Sequence, residues 1–277
     1  MLSASGLRAT SSSTPDSLPS RRPADRQLTD RRRATTSVTA QTTPATPAPA
    51  APAIPAVEGK PVAIAQLAPS FKAGSWTWTA KLSANGQQQD FGTRTVSLEK
   101  GSAANTWLLL DAQQNPMVTS SDSVVLASGD LATVRRALKV QSPMGAITLA
   151  MAFTADSVTG ALEAPGQKLP IAAANPKGAI VSDGLLLLAL SQLPLADGWV
   201  GRVDLLNPQN GSVIPLSLAV RRSEKVTVPA GAFDTWVVET TGGPSTATFF
   251  VAKGGPVVRL VAAVPQVGGT VESVLSK

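Results

Sequence analysis

Three short β-prone runs separated by glycine and proline constrain this chain more than any other feature of its sequence. The runs are Asp234–Thr240, Thr246–Ala252 and Val257–Val264, and each is rich in β-branched, aromatic or small apolar residues. A Gly-Gly-Pro triplet lies between the first two runs and another lies between the last two. Short β-prone runs with such turn signals between them are typical of an antiparallel meander. The sequence therefore predicts an all-β fold.

Similar runs lie on both sides of this meander. In Ser75–Leu82 polar and apolar residues alternate, so Trp76 and Trp78 fall on the same face of a predicted strand. Asn85-Gly86, soon after it, is a strong signal for a two-residue hairpin turn. The remaining predicted strands are residues 93–98, 106–111, 117–126, 132–141, 146–154, 157–163, 200–206, 213–222 and 267–275.

Two segments fit a strand poorly. Leu131–Lys139 lacks clean alternation, so a short helix is an alternative to the strand predicted there. Ala164–Lys177 contains Pro165, Pro170 and Pro176, and this composition is typical of a loop. We therefore expect a connection without strands between residues 164 and 177.

One segment has the composition of a buried helix. Asp183–Gln192 contains five leucines, Ser182 or Asp183 can cap its N-terminus, and Pro194 ends it. Because these leucines point in nearly every direction around a helix, the helix needs to be enclosed, and the concave face of a curved sheet can enclose it. At about ten residues it is too short to span a bilayer.

These patterns predict a strongly curved antiparallel sheet, or half-barrel, of about ten or more strands around one short helix. We expect residues 74–277 to form a single β domain, because about 200 residues suffice for one all-β domain. Residues 60–73 are expected to be a transition segment, and residues 1–59 a disordered tail with a linker.

The first 59 residues differ in composition from the rest. They hold seven arginines, no lysine and four acidic residues, so they carry +3 of the chain's net charge of +6. They lack hydrophobic periodicity, and such a segment buries too little apolar surface to fold. No apolar signal-peptide segment precedes Lys60, so a start assigned too early is an alternative to a tail. A further alternative is a basic arm that contacts anionic lipid or nucleic acid.

The chain contains no cysteine and no histidine. These absences exclude disulfides, thiolate nucleophiles, cysteine-ligated metal sites and a Ser-His-Asp triad. No calcium-loop or phosphate-loop motif is present, so no metal or other cofactor is expected. The part after residue 59 is nearly balanced in charge, and we therefore expect no nucleic-acid site there.

The central meander also resembles a known family. Val228–Thr235, VPAGAFDT, resembles the VPAGTF(D/E)T hairpin of DUF3108-like bacterial proteins. Thr248–Ala252 and Gly255–Arg259 are similar to the two strands that usually follow this hairpin, and Leu193–Gly198 is similar to the LPL-x-x-G that precedes it. Ala252 departs from the pattern, because an acidic turn residue is common there. The likeness covers roughly residues 74–277, and its specific motifs lie within residues 193–259.

The resemblance implies a curved antiparallel half-barrel similar in shape to periplasmic lipoprotein carriers. It implies no established catalytic residues. It also implies an extracytoplasmic location, in the periplasm or cell envelope.

The candidate functional residues are apolar. A concave sheet offers a cavity for a ligand, and large apolar side chains that fill it or line it are the candidates. Packing in the sheet core is the alternative for each of them. The candidate lining residues are Trp76, Trp78, Trp107, Trp199, Trp236, Leu187 and Leu190.

Charged residues give weaker candidates. Four acids near hydrophobic strands could pair as a general acid and base, although a turn or solvated position is the alternative. A local basic cluster is most simply a solvated hairpin end. The acids are Asp122, Asp183, Glu239 and Glu163, and the basic cluster is Arg221, Arg222 and Lys225.

The sequence as a whole favours a non-enzymatic binding or structural module of the cell envelope. Its concave face would hold an apolar ligand, a lipid or a segment of an envelope protein. One alternative is a hydrolase that uses carboxylates only. The other is an accessory subunit recruited through the basic N-terminal tail.

Overall fold

The computed structural model of the chain describes residues 59–243, 246–265 and 268–277. The predicted tail, residues 1–59, lies outside the described residues except for Gly59. The described strands all belong to one sheet, with strand order β1-β10-β11-β12-β13-β14-β15-β2-β3-β4-β5-β6-β7-β8-β9. The strands are β1 Lys60–Pro61, β2 Gly74–Ala84, β3 Gln87–Lys100, β4 Thr106–Gln114, β5 Thr119–Ala127, β6 Thr133–Ser142, β7 Gly145–Phe153, β8 Ser157–Ala164, β9 Gln167–Ala174, β10 Val200–Leu206, β11 Val213–Val228, β12 Gly231–Thr241, β13 Ala247–Ala252, β14 Val257–Val264 and β15 Gly269–Leu275.

The sheet consists of two antiparallel meanders joined along one seam. Strands β2 to β9 pair in sequence order, and so do strands β10 to β15. The seam is the antiparallel pairing of β15 with β2, in which Leu275 lies opposite Trp78 and Thr270 lies opposite Ser83. β1 lies at the outer edge of the second meander, where it pairs parallel with β10. The predicted antiparallel all-β architecture is therefore confirmed.

The sheet is strongly curved around a single α-helix, α1, which runs from Asp183 to Leu190. α1 contacts both β4 and β14, although three strands separate these two in the sheet. In a flat sheet, strands four steps apart would be about 19 Å from each other, which exceeds the diameter of a helix. One short helix can touch both only if the sheet bends around it. We call the face that α1 covers the inner face.

α1 is enclosed as its composition predicts. The Ser182 hydroxyl accepts a hydrogen bond from the Leu185 backbone N–H at 3.2 Å, so the expected N-terminal cap is present. Every residue from Gly184 to Leu190 is buried. The helix therefore fills part of the inner space with its own side chains.

A second helical segment extends the core upstream of β2. Residues Ile64–Ser70 form a 3₁₀ helix. Ile64, Leu67 and Phe71 are all buried in the main apolar cluster. The core therefore includes side chains from the segment that was expected to be only a transition.

The central part of the second meander is buried on both faces. Val237 and Val238 on β12 are fully buried, and their cross-strand partners Phe250 and Phe249 on β13 are each only 5% exposed. Consecutive residues of a strand point to opposite faces. Both sides of the sheet are therefore covered here, which explains why this stretch is continuously apolar rather than alternating.

One local expectation differs from the structure. The segment predicted as a loop contains strand β9, which pairs with β8 from Gln167 to Ala174. Pro170 is tolerated because β9 is an edge strand, where one side needs no backbone donor. The strand predicted at residues 132–141 is present as β6, and the alternative of a helix over residues 131–139 is not what forms.

Two turns have the backbone conformation that their residues predict. Asn85 and Gly86 both have positive φ, 52° and 74°, as a two-residue hairpin between β2 and β3 requires. Gly231 has a φ of 137° and starts β12 opposite Val228, so the two-residue Pro229-Ala230 connection turns tightly at this glycine.

Candidate functional site

Four charged residues lie side by side on the inner face of β3, β4, β5 and β6. We call Arg94, Asp111, Asp122 and Arg136 the charged quartet. Asp111 and Asp122 are directly opposite each other in the β4–β5 register. Directly opposed side chains have Cβ atoms about 5 Å apart, so the two carboxylates are neighbours.

Each aspartate is bound by an arginine from the strand beyond it. Arg94 donates from Nε and Nη2 to Asp111 Oδ1 and Oδ2, at 2.9 and 2.5 Å. Arg136 donates from Nη2 to Asp122 Oδ2 at 2.7 Å, and its Nε lies 3.1 Å from both Asp122 oxygens. These two-pronged pairs are the strongest type of side-chain hydrogen bonding. The quartet is therefore electrically balanced within itself.

The quartet also holds the start of α1. Arg136 Nη1 donates a hydrogen bond to the carbonyl oxygen of Val181, just before the helix. A Cβ added to Gly184 would lie 2.9 Å from Asp111 Oδ2, so the first turn of the helix rests on this carboxylate. The partial positive charge of a helix N-terminus favours a carboxylate there. The quartet therefore fixes α1 to the inner face.

Burial raises the pKa of Asp122 above its ordinary value of 3.8, because the surrounding protein disfavours the charged form. The Arg136 guanidinium opposes this effect, and the neighbouring carboxylate of Asp111 adds to it. Arg136 therefore stabilises the ionised form of Asp122, while removal of this carboxylate from water costs free energy.

The raised pKa of Asp122 predicts a pH dependence of stability. A carboxyl with a higher pKa in the folded state binds its proton more tightly there, so its contribution to stability is lost as pH rises through the folded-state pKa. We expect the unfolding free energy of the wild type, relative to Asp122→Asn, to increase as pH falls from 7 toward 4. Urea unfolding across this range measures it, with exposed Asp90→Asn as the control for loss of one charge. A difference that stays constant, or that moves in favour of Asp122→Asn at low pH, contradicts the assignment.

The geometry of the quartet suits fixation better than proton transfer. A general acid or base must reach a proton on a bound substrate. The oxygens of Asp111 and Asp122 are instead occupied by guanidinium donors, and the side chains of Asp122 and Arg136 are each 8% exposed. Among the described residues, no three acidic side chains cluster in a way that could hold a metal ion.

A cleft with a mixed polar and apolar lining lies beside Trp199, where β1 meets β10. The cleft has a volume of about 890 Å³. A Cβ on Gly201 would lie 2.4 Å from the Trp199 ring and 3.2 Å from Val62, so the indole is seated directly against this glycine. The cleft is lined by Gly59, Lys60, Pro61, Val62, Ala63, Gln66, Leu67, Pro194, Trp199, Val200 and Gly201.

The seven predicted lining residues all belong to the main apolar cluster or pack against it. Trp78 and Trp107 are buried, together with Leu187 and Leu190 of α1. The Trp78 indole N–H donates to the carbonyl oxygen of Val257 at 2.9 Å, which satisfies its polar atom within the core. These four side chains pack in the interior.

The other three tryptophans are half-buried. Trp76 covers Gly74, and the ammonium of Lys253 lies 4.1 Å from the centre of the Trp236 ring. Trp199 lines the cleft. A ligand-lining role for these residues stays a prediction, and Trp199 has the geometry for it.

The remaining charged candidates form surface pairs or cap the helix. Arg221 pairs with Glu239 at 2.9 Å, and Glu163 pairs with Lys168 at 2.6 Å. Arg222 pairs with Glu224 at 2.8 Å. Asp183 lies in the first turn of α1. The structure therefore does not bring the four acidic candidates together, and the basic cluster is largely neutralised by neighbours.

Sequence reasoning named Asp122 but missed its three partners in the quartet. The sequence does contain a signal for them. Each of these charged residues lies an even number of positions from buried apolar residues of its strand, so its side chain points to the same face. Asp111 follows Trp107 and Leu109 at a spacing of two, and Arg136 precedes Leu138 at the same spacing. Charges at inward positions of four consecutive strands indicate a buried ionic cluster.

Comparisons with known proteins give a match to a family model and several similar solved structures. A family model described as "Protein of unknown function (DUF3108)" matches residues 64–275. No curated protein matches the chain. A β-barrel-like protein of the domain of unknown function DUF1849 from Brucella abortus is 10% identical, covers 74% of this chain and 96% of its own, and has a TM-score of 0.48.

Two further solved structures are similar over comparable lengths. A protein from Bacteroides fragilis, described as exported and with a YmcC-like fold, is 12% identical, covers 73% of this chain and 93% of its own, and has a TM-score of 0.28. A protein from Parabacteroides distasonis, described as a lipoprotein, is 13% identical, covers 74% and 95%, and has a TM-score of 0.26. None of the helices among the described residues is both long enough and apolar enough to cross a membrane.

Proposed function

We propose, from the premise that this chain belongs to the DUF3108 family, that its β domain is a non-enzymatic module of the cell envelope that binds an apolar ligand beside Trp199. The observation that carries the proposal is the cleft of about 890 Å³ where β1 and the 3₁₀ helix meet the start of β10. Sites for small apolar ligands usually measure about 300–1,000 Å³ and combine an apolar lining with few polar groups.

The lining of the cleft suits an acyl chain with a negative headgroup. Trp199 and Val200 present apolar surface, and Val200 is 40% exposed although it is fully apolar. Lys60 lies at the same cleft and is exposed. An ammonium at the rim can pair with a carboxylate or phosphate while the chain of the ligand lies against the indole.

The interior of the sheet supports a ligand site at the cleft rather than under α1. Leu187 and Leu190 are buried, and the charged quartet holds the helix start. The inner space next to α1 is thus occupied by the protein's own side chains. The same observation favours a purely structural role as the second candidate, in which the self-filled sheet only presents its surfaces.

The two other functions considered have less support. A hydrolase based on carboxylates needs acids that are free to transfer protons, and Asp111 and Asp122 are both bound by arginines. Recruitment through the basic tail falls on residues outside the described ones and stays a prediction. The extracytoplasmic location rests on the family resemblance and belongs to the proposal.

A substitution in the cleft tests the binding function. We expect purified wild-type protein to bind the apolar fluorophore N-phenyl-1-naphthylamine saturably, with one site per chain. Val200→Glu places a carboxylate in the cleft and should weaken this binding at least about tenfold, because the bound apolar fluorophore would remove water from this charge. Leu110→Glu, at an exposed apolar residue on β4, is the matched control and should bind like the wild type.

Native mass spectrometry of the same samples adds a direct search for a co-purified lipid. Equal affinity of Val200→Glu and wild type would remove the cleft as the binding site. Absence of saturable binding by the wild type, with no co-purified lipid, would leave the structural role as the function.

A further inference from the structure

One end of the sheet is made of turns without charged residues. The meander register places the turns β2–β3, β4–β5, β6–β7, β8–β9, β10–β11, β12–β13 and β14–β15 at this end, and β15 lies antiparallel to β2 so that both halves share it. None of these turns contains Asp, Glu, Lys or Arg. We call this the uncharged end. Its described turn residues are 85–86, 115–118, 143–144, 165–166, 207–212, 242–243, 246, 265 and 268.

The opposite end of the sheet is different. Its turns carry Asp130, Asp156 and Lys253, each in a separate hairpin. The absence of charge is therefore a property of one end and not of the turns of this chain in general. A protein surface without charges over seven neighbouring turns is unusual, because exposed turns are normally polar and often charged.

The uncharged end also carries the two most exposed large apolar side chains of the described residues. Seven such side chains are exposed among the described residues, and three of them, Met144, Met117 and Val213, lie at this end. Met144 is 81% exposed and Met117 is 60% exposed. Both methionines lie at hairpin tips, where their side chains project beyond the sheet.

The hairpin tips that hold these methionines are neighbours along the sheet. The turns that hold Met117 and Met144 belong to hairpins β4–β5 and β6–β7. These hairpins follow one another in the sheet, so adjacent tips are about 10 Å apart, the width of two strands. The sheet fixes the distance between the tips, whereas each methionine side chain is itself flexible.

We propose that the uncharged end docks on the surface of a lipid bilayer, with Met117 and Met144 entering the boundary between headgroups and acyl chains. No charged group in these turns has to lose its water on docking, which removes the largest cost of entry. The apolar tips are separate projections and not one continuous patch. Separate tips suit a fluid apolar phase better than a protein partner, whose hot spots are contiguous and rich in Trp, Tyr and Arg.

The absence of charge determines how this docking depends on lipid charge and ionic strength. Attraction to anionic lipid requires basic residues near the surface and weakens with salt. Docking through the uncharged end therefore needs no anionic lipid and persists at high ionic strength. This behaviour separates it from adhesion of the basic N-terminal segment, and it is independent of the ligand cleft beside Trp199.

Vesicle co-sedimentation of the full chain tests the proposal. At high ionic strength, the wild type should bind vesicles of pure phosphatidylcholine. The double variant Met117→Glu/Met144→Glu should partition at least about tenfold less, because each methionine loses its apolar burial. The matched control is Leu110→Glu/Val134→Glu, which changes two exposed apolar residues outside the uncharged end and should bind like the wild type.

Three results would overturn the proposal. The first is no binding of the wild type to phosphatidylcholine, or binding that needs phosphatidylglycerol and disappears with salt. The second is equal binding by Met117→Glu/Met144→Glu. The third is self-association of the wild type in sedimentation velocity that this double variant abolishes, which would make the uncharged end a contact between copies of the chain. Circular dichroism of each variant verifies that it is folded.

Discussion

Arg136→Ala is expected to lower the free energy of unfolding by about 3–5 kcal/mol. Removal of the guanidinium leaves the Asp122 carboxylate buried with no counter-charge, and the Val181 carbonyl oxygen loses its donor just before α1. Urea unfolding followed by tryptophan fluorescence measures the loss. Arg135→Ala is the matched control, because the neighbouring residue is exposed.

A paired replacement of Asp122 and Arg136 distinguishes the loss of charge balance from the loss of side-chain packing. Buried ion pairs can often be replaced by apolar residues of similar volume at little cost in stability. The double variant Asp122→Leu/Arg136→Met should therefore recover most of the stability lost in Arg136→Ala. If Arg136→Ala unfolds at the same urea concentration as Arg135→Ala, the quartet does not hold the helix.

Leu190→Ala and Leu187→Ala are each expected to cost about 2–5 kcal/mol of stability, as truncations in a well-packed core do. Leu190 is completely buried and Leu187 is 5% exposed, and both belong to the main apolar cluster. Thermal melts with a hydrophobic dye measure the effect. Leu110→Ala, at an exposed leucine of β4, should leave the melting temperature nearly unchanged.

The same melts distinguish a fixed helix from a removable lid. A fixed helix gives lower melting temperatures for Leu187→Ala and Leu190→Ala with little dye bound before melting. Unchanged melting temperatures together with raised dye binding of the folded protein would show that α1 opens. The ligand space would then lie under the helix and not beside Trp199.

The fold was predictable because the local signals agree with the tertiary structure. Asn85-Gly86 specifies its hairpin, Ser182 caps α1, and Gly231 has the positive φ that its tight turn requires. These signals act through the backbone of a few neighbouring residues, so they are visible without knowledge of the sheet. Proline misled the prediction for β9, because whether Pro170 breaks a strand depends on whether that strand lies at an edge.

The candidate site was less predictable because it depends on register between strands. Asp111 and Asp122 are eleven positions apart, and their opposition follows from the β4–β5 pairing. Arg136 reaches the helix start only because the sheet bends. The cleft beside Trp199 likewise needs Gly201 against the indole and a parallel two-residue strand at Lys60, and short parallel pairings leave almost no pattern in a sequence.

The seam between β15 and β2 sets the order in which this protein can become complete. Each meander consists of neighbours in sequence and can form from local hairpins, which are fast to close. The seam joins residues almost 200 positions apart, such as Thr77 and Ser276, whose backbone groups are hydrogen-bonded at 2.8 Å. During synthesis β2 emerges first and waits with an unpaired edge until β15, the last of the described strands, arrives. In the cell, this long-lived open edge is where premature pairing with another chain would begin, and the arrival of β15 is the step that closes it.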